Sequence, residues 1–160
     1  MTQPSRQAAI DALHEHGPVL LATARIITRD EDDAKDLVQM TFEIAFRRID
    51  SLREPAALRA WLLRIEMREA FRVTRRLRRL VRLDGHVHEL VSPGPHVGHR
   101  AEIGDALMAL PPRTRAAVAL HYLAGLSVRE TAEALGVSEN TIKSQVKTGL
   151  VRLREVLGND

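Results

Sequence analysis

Cysteine is absent from the 160 residues. That excludes a disulfide-stapled scaffold and thiolate metal centres, and it suits a reducing compartment such as the cytoplasm. Aromatic residues are scarce, with three Phe, one Trp and one Tyr. Any core is therefore built mainly from Leu, Val, Ile and Ala, and with few strand formers the expectation is an all-α chain. No apolar run is long enough to cross a bilayer; the longest, residues 18–27, is interrupted by Arg25. No secretory signal pattern is visible, so membrane insertion is not expected. A nucleophile elbow, a phosphate-binding loop and a paired-carboxylate constellation are all missing. The chain is accordingly read as no enzyme, with no catalytic residue and no cofactor. The formal net charge is only +3, weak evidence for a nucleic-acid partner by itself, so the distribution of charge matters more than its sum.

What is present is helical periodicity. Residues 5–28 place Ile10, Leu13, Leu20, Leu21 and Ala24 at helical spacing, with Gly17-Pro18 as a break or kink. Four acids, Asp30 to Asp33, precede a strong amphipathic repeat of Ala34, Leu37, Val38, Thr41, Phe42, Ala45, Phe46 and Ile49. Acids at that end suit the positive end of a helix dipole. A loop at Asp50–Ala56 leads to a long helix, about Ala57 to Val81, with Leu63, Met67, Ala70, Val73, Thr74, Leu77 and Val81 along one side. Residues 84–99 are rich in Gly, Pro and His and read as a linker. A second helical module follows: Ala101–Leu110, then Arg113–Ala124 started by Pro112 and ended by Gly125.

Residues 126–147, LSVRETAEALGVSENTIKSQVK, read as helix, three-residue turn and helix. Ser127 and Glu130 have capping-box spacing. Val128, Ala132 and Leu135 line the inner face, and Ala132 is small enough for a second helix to approach. Gly136 sits in the turn and Ser138 caps the second helix. Ile142, Val146, Leu150 and Leu153 form its inner stripe, while Asn140, Lys143, Ser144 and Lys147 point the other way. Such a helix fits a DNA major groove, where Asn, Ser and Lys meet base edges or phosphates, and Glu139 can accept from a cytosine amino group. The blander reading is a helical hairpin with a solvated face.

A second basic feature lies on the long helix. Arg64, Arg68, Arg72, Arg75 and Arg79 share a narrow arc about 22 Å long, opposite the apolar side. Arg76 and Arg82 widen it, and Trp61 falls on the same arc. Repeated contacts to a phosphate backbone would use such a stripe. The alternatives are an exposed helix face, and pairing of some arginines with Glu66 or Glu69. His86, His88, His96 and His99 lack a convincing completing ligand, so no metal site is expected.

At these residues the chain resembles the extracytoplasmic-function (ECF) sigma factors, small bacterial initiation factors of the sigma-70 family. Asp33–Gln39 with Phe42, Ala45 and Ala60–Ile65 resembles region 2 of that family. Leu110–Leu120, Gly125–Ser127, Ala132, Leu135–Ser138, Thr141–Ser144 and Leu153-Arg154 resemble region 4. Together they span residues 18–157 in the family's order. The resemblance implies residues 1–82 as a region 2-like domain, 83–100 as a flexible linker and 101–160 as a region 4-like helix-turn-helix domain. It implies promoter DNA, core RNA polymerase and an anti-sigma factor as partners. Contacts to the minus-35 element would come from Arg129, Ser138, Glu139, Asn140, Thr141, Lys143, Ser144 and Lys147. Asp50, Ser51, Leu52, Trp61, Arg64, Arg68, Arg72 and Arg75 would meet the minus-10 element, whose flipped base is captured near the loop. Core docking would use Asp36, Leu37, Gln39, Met40, Glu43 and Arg47, on a face also carrying Lys35. Without the resemblance that mixed face reads as solvated. Two departures stand out: Met40-Thr41 where a further acid is common, and Glu66-Met-Arg-Glu69 where the family favours small residues and an Asn. Before core binds, the resemblance also implies that the two modules pack together or are clamped by an anti-sigma factor, hiding the DNA faces. Two other readings are a sigma-like decoy for an anti-sigma factor and a stand-alone helix-turn-helix repressor. The decoy would need neither basic face, and the repressor would not need the first module.

Overall fold

The computed structural model describes residues 6–84 and 99–158. The N-terminal half is four helices: α1 (Arg6–Glu15), α2 (Gly17–Thr28), α3 (Glu31–Arg48) and α4 (Leu58–Asp84). The C-terminal half is α5 (His99–Met108), α6 (Pro112–Val118), α7 (Val128–Leu135) and α8 (Glu139–Leu157). No strand occurs among the described residues. Gly17-Pro18 is a break: α1 and α2 are separate helices that meet at His16. The acidic tetrad does start α3, where the Asp30 carboxylate accepts from the Asp33 backbone N–H at 2.9 Å. Short 3-10 turns at Ile49–Ser51 and Pro55–Ala57 bracket the predicted loop.

Helix α4 organises the chain. Leu58, Leu62, Leu63, Ile65, Met67 and Ala70 are buried along its first half, against α2 and α3 on one side and α7 on another. One apolar cluster therefore runs through both halves, joining Leu20, Leu62, Leu63 and Met67 to Ala117, Leu120, Ala132, Leu135 and Ile142. Leu62, Ile65 and Glu66 extend the buried side beyond the single face that periodicity gives, because three helices, not one, pack on it. Further along, the predicted apolar side is out in solvent. Val73 and Leu77 are 38% and 53% exposed, and Thr74 is exposed as well. No described element covers α4 past Phe71 on that face. Val81, Arg82 and Asp84 lie in α4, which enters the predicted linker; residues 85–98, with His86, His88 and His96, lie outside the described residues.

Within the C-terminal half, α6 passes into one π-helical turn, Ala119–Leu123, where Ala124 N–H donates to Ala119 C=O at 3.0 Å. The bulge turns His121 so that Nδ1 donates to Leu126 C=O at 2.7 Å, closing the turn into α7. Helices α6 and α8 cross closely at Gly149, where an added Cβ would stand 2.6 Å from Val118 Cγ2 and 3.1 Å from Thr114 Cγ2. That approach explains a glycine inside a helix. Gly149→Val should therefore lower the unfolding free energy by about 1–3 kcal/mol through overpacking. Urea denaturation of the two proteins checks this.

Candidate nucleic-acid interface

The helix-turn-helix forms as its capping residues require. Ser127 Oγ accepts from Glu130 N–H at 3.0 Å, and Glu130 Oε1 accepts from Ser127 N–H at 3.0 Å, so both halves of the capping box are made. Gly136 takes φ 66°, the left-handed conformation that lets α7 end and the chain turn within three residues. Ser138 Oγ then accepts from Thr141 N–H at 3.1 Å and starts α8. Ala132, Leu135, Ile142 and Val146 are buried between the two helices and α4, and Val128 and Leu150 are half-buried on the same cluster.

With that side buried, Ser138, Glu139, Asn140, Lys143, Ser144 and Lys147 are all exposed, and Thr141 is half-buried. Arg129 is exposed on α7 and pairs with Glu133 at 3.3 Å. Lys143 and Lys147 also rim a groove with Tyr122, Leu150 and Val151. The groove lacked a sequence signal, since the π-helical turn that brings Tyr122 there is not encoded in periodicity. The two halves pack together, as one of the expectations held, yet this packing does not hide the α8 face. Contact with the N-terminal half is made mainly through α5, α6 with its π-helical turn, and α7, leaving the outer side of α8 in solvent.

On α4, Arg68, Arg72, Arg75, Arg76 and Arg79 are exposed. Arg64 is only half-buried, but its Nε is sealed from solvent without a hydrogen-bond partner. Trp61 is half-buried against the main cluster. Arg72 forms an ion pair with Glu69 at 2.8 Å, so one of the anticipated pairings is made. The anticipated partner Glu66 is elsewhere: it is completely buried, and its Oε2 lies 2.6 Å from Thr23 Oγ1 on α2. Thr23 Oγ1 is also 3.0 Å from the carbonyls of Val19 and Leu20. One hydroxyl proton cannot serve a carbonyl and a carboxylate together. The arrangement closes if the Glu66 carboxyl keeps its proton, donates to Thr23 and lets Thr23 donate to the α2 backbone. Burial pushes the Glu66 carboxyl up from its usual 4.5 to about 8, opposed only by a Thr23 hydroxyl that turns to donate to the ionised form.

The loop residues Asp50 and Ser51 are exposed, and Ser51 Oγ donates to Arg48 C=O at 2.7 Å. Leu52 is half-buried against the main cluster. On α3, Asp36, Gln39, Glu43 and Arg47 are exposed and Met40 is half-buried. Leu37 differs from the other docking candidates: it is 5% exposed and packs with Ala24, Ala34 and Ala70. Its place in the α3 repeat turns it inward, so it supports the face without forming part of it. Lys35, Gln39 and Glu43 border an apolar groove floored by Leu21, Val38 and Phe42. The face is thus mixed in chemistry, where the helical repeat alone read a solvated surface beside the packed stripe.

Two measurements follow from these groups. Ser138→Ala should cost about 1 kcal/mol of stability by removing the α8 cap, read by denaturant unfolding. For Glu66 the folded pKa is the raised one, so its contribution is complete below about 4.5 and is lost as pH rises through about 8. Glu66→Gln, which keeps the donor to Thr23, should flatten the pH dependence and be more stable than wild type at pH 9 by on the order of 2 kcal/mol. Thermal melts from pH 5 to pH 9 test that sign.

Comparison with known proteins adds to this geometry. Residues 12–81 match the family model Sigma-70 region 2, and residues 100–153 match Sigma-70, region 4. The ECF RNA polymerase sigma factor SigM of Mycobacterium tuberculosis is 32% identical over 96% of this chain and 79% of its own length. The sigma factor RpoE, solved in complex with the anti-sigma factor NepR from Bartonella quintana, superposes with a TM-score of 0.80 at 32% identity, covering 96% of each chain. CnrH, solved with the cytosolic domain of CnrY, gives a TM-score of 0.67 at 27% identity over 97% of each chain. A region 2 four-helix half, a region 4 helix-turn-helix and relatives matched over nearly the whole length place this chain in the ECF family of RNA polymerase sigma factors.

Proposed function

We propose that this sigma factor reads its promoter with two faces, the outer side of α8 for the upstream element and the α4 arginines with the preceding loop for the downstream one. Residues 1–82 and 101–160 act as the two reading units and 83–100 as the tether between them. The observation that carries the reading is the α8 face. Six polar side chains between Ser138 and Lys147 stand in solvent on a helix fixed by a capping box, a left-handed glycine and an N-cap. Asn140, Glu139 and Ser144 supply directional donors and acceptors for base edges, while Lys143 and Lys147 supply charge for phosphates. On α4 the exposed Arg68, Arg72 and Arg75, continued by Arg79, run along a phosphate backbone, with Arg64 and Trp61 at the end nearest the loop of Asp50, Ser51 and Leu52.

Asp36, Gln39, Met40, Glu43 and Arg47 dock on core polymerase beside the Leu21, Val38 and Phe42 groove. Such a surface offers apolar area together with charges of both signs, as transient protein interfaces do. Sigma factors are initiation factors without enzymatic activity of their own, and polymerase performs the chemistry. The chain works in the cytoplasm, where core polymerase is found; no helix among the described residues is long and apolar enough to cross a membrane. An anti-sigma factor is a further partner, by analogy with the solved complexes of RpoE with NepR and CnrH with CnrY.

The test is capture of fragmented genomic DNA by tagged protein, with and without sigma-free core polymerase. Fragments sharing a two-block motif, retained only with core, are the expected result. Retention without core would favour a stand-alone repressor, and no enrichment in either condition would favour a decoy. In the same assay Lys143→Ala and Lys147→Ala should weaken retention across all promoters and each lower the salt slope by about 1. Asn140→Ala should instead relax the upstream block of the motif.

A further inference from the structure

The junction between the two halves is held by arginines that meet helix ends and no acids. Arg115, on α6, is 4% exposed and donates to Ile26 C=O in the last turn of α2 and to Leu110 C=O, both at 3.2 Å. Arg29, just past the end of α2, reaches the opposite way and donates to Met108 C=O, the last residue of α5. Its Nε lies 3.1 Å from Met108 Sδ. Each half thus caps a carboxyl end of a helix in the other half. Those ends carry unpaired carbonyls and the negative pole of the helix dipole, which makes them acceptors for a cation. Around the pair, Ile26 packs against Leu107, Leu110 and Val118.

Two features set this contact apart from ordinary packing. Arg29 holds φ 63°, and it is the one non-glycine residue among the described residues with positive φ. Glycine or asparagine fits that backbone better. A residue chosen only to end α2 would be one of those; an arginine there is explained by the reach of its guanidinium. Second, neither Arg29 nor Arg115 forms an ion pair with a carboxylate among the described residues, and Arg115 Nε is buried without a partner. The two cations repel each other, and Arg115 is desolvated as well. The contact holds, but it leaves hydrogen-bonding capacity unused that solvent would satisfy on opening.

We propose that Arg29 and Arg115 form a reciprocal clasp that keeps the two halves closed in the free protein and releases when the halves separate on a promoter. A packed chain of this length is about 40 Å across, whereas elements two DNA turns apart, a separation that the length of the 83–100 tether permits, lie roughly 70 Å apart. The closed body cannot occupy both at once, so the shared apolar cluster and the clasp must part. This consequence rests on the promoter reading; the clasp itself does not. Release returns two hydrated cations to the surface of the separated halves.

The absence of native cysteine allows the test. Glu54→Cys and Thr148→Cys, both exposed and one in each half, carry a donor and an acceptor dye on the full chain, without DNA or polymerase. In this background Arg29→Gly and Arg29→Asn should each raise the open fraction about tenfold, the loss of a charge-assisted hydrogen bond across the junction, while far-UV circular dichroism stays helical. Arg25→Ala, which removes a neighbouring α2 cation bonded to Glu31 at 2.7 Å on the surface, should leave the distance distribution unchanged. Closed distributions in both Arg29 variants would overturn the clasp. So would equal opening by Arg25→Ala, which would reduce the effect to net charge on α2.

Discussion

Burial of one side of α4 is the constraint on which the rest of the structure depends. Leu62, Leu63 and Met67 are fully enclosed there, each worth roughly 1.5–3 kcal/mol relative to exposure. Because α2 and α3 pack on one flank of that buried surface and α7 on another, the same side chains stabilise both halves at once. The remaining arc of α4 is then free for arginines, and α7 is held so that its partner α8 faces outward. Removing α4 from this arrangement would leave the helix-turn-helix with its own small core of Ala132, Leu135, Ile142 and Val146.

Charge is handled in two different ways inside this body. At and beside the junction, arginines meet backbone carbonyls at helix ends: Arg115 on α2 and Arg29 on α5 across it, and Arg113 within the C-terminal half on Leu135 C=O at the end of α7 at 3.2 Å. Arg113 also lies 4.7 Å from the centre of the Phe71 ring on α4. Carbonyl acceptors stabilise a guanidinium less than a carboxylate does, so this junction is suited to opening. Glu66 is handled by neutralisation. Its burial against Thr23 favours the protonated form, which avoids a buried charge without a counter-ion. Glu66 is therefore inside the fold and away from the exposed arginines of α4, while Glu69 is occupied by Arg72.

The two faces proposed to read DNA contrast in how they are fixed. The α8 face is set by local hydrogen bonds at Ser127, Glu130 and Ser138 and by one backbone conformation at Gly136, so its geometry survives any motion between halves. The α4 stripe lies on one continuous helix, Leu58–Asp84. In the proposed opening only the relation between them changes, governed by the apolar cluster and the arginine contacts.

Local chemistry was legible in the residues alone. The capping box, the Gly136 turn, the acidic start of α3, the outward face of α8 and the exposed arginines of α4 all follow from spacing, because each depends on neighbours within four residues. The interior was only partly legible. Leu37 belongs to a repeat that periodicity marks as buried, yet a family motif also made it a docking candidate, and its contacts with Ala24 and Ala70 decide for packing. Val73 and Leu77 obey the same periodicity as Leu63 and Met67 but stand in solvent, since no described helix reaches them. Glu66, Arg115 and Arg29 look like surface charges in the chain. Only the tertiary structure, which brings α2 against α4, α5 and α6, turns the first into a buried acid and the other two into a seam, because long-range contacts leave no periodic trace in sequence.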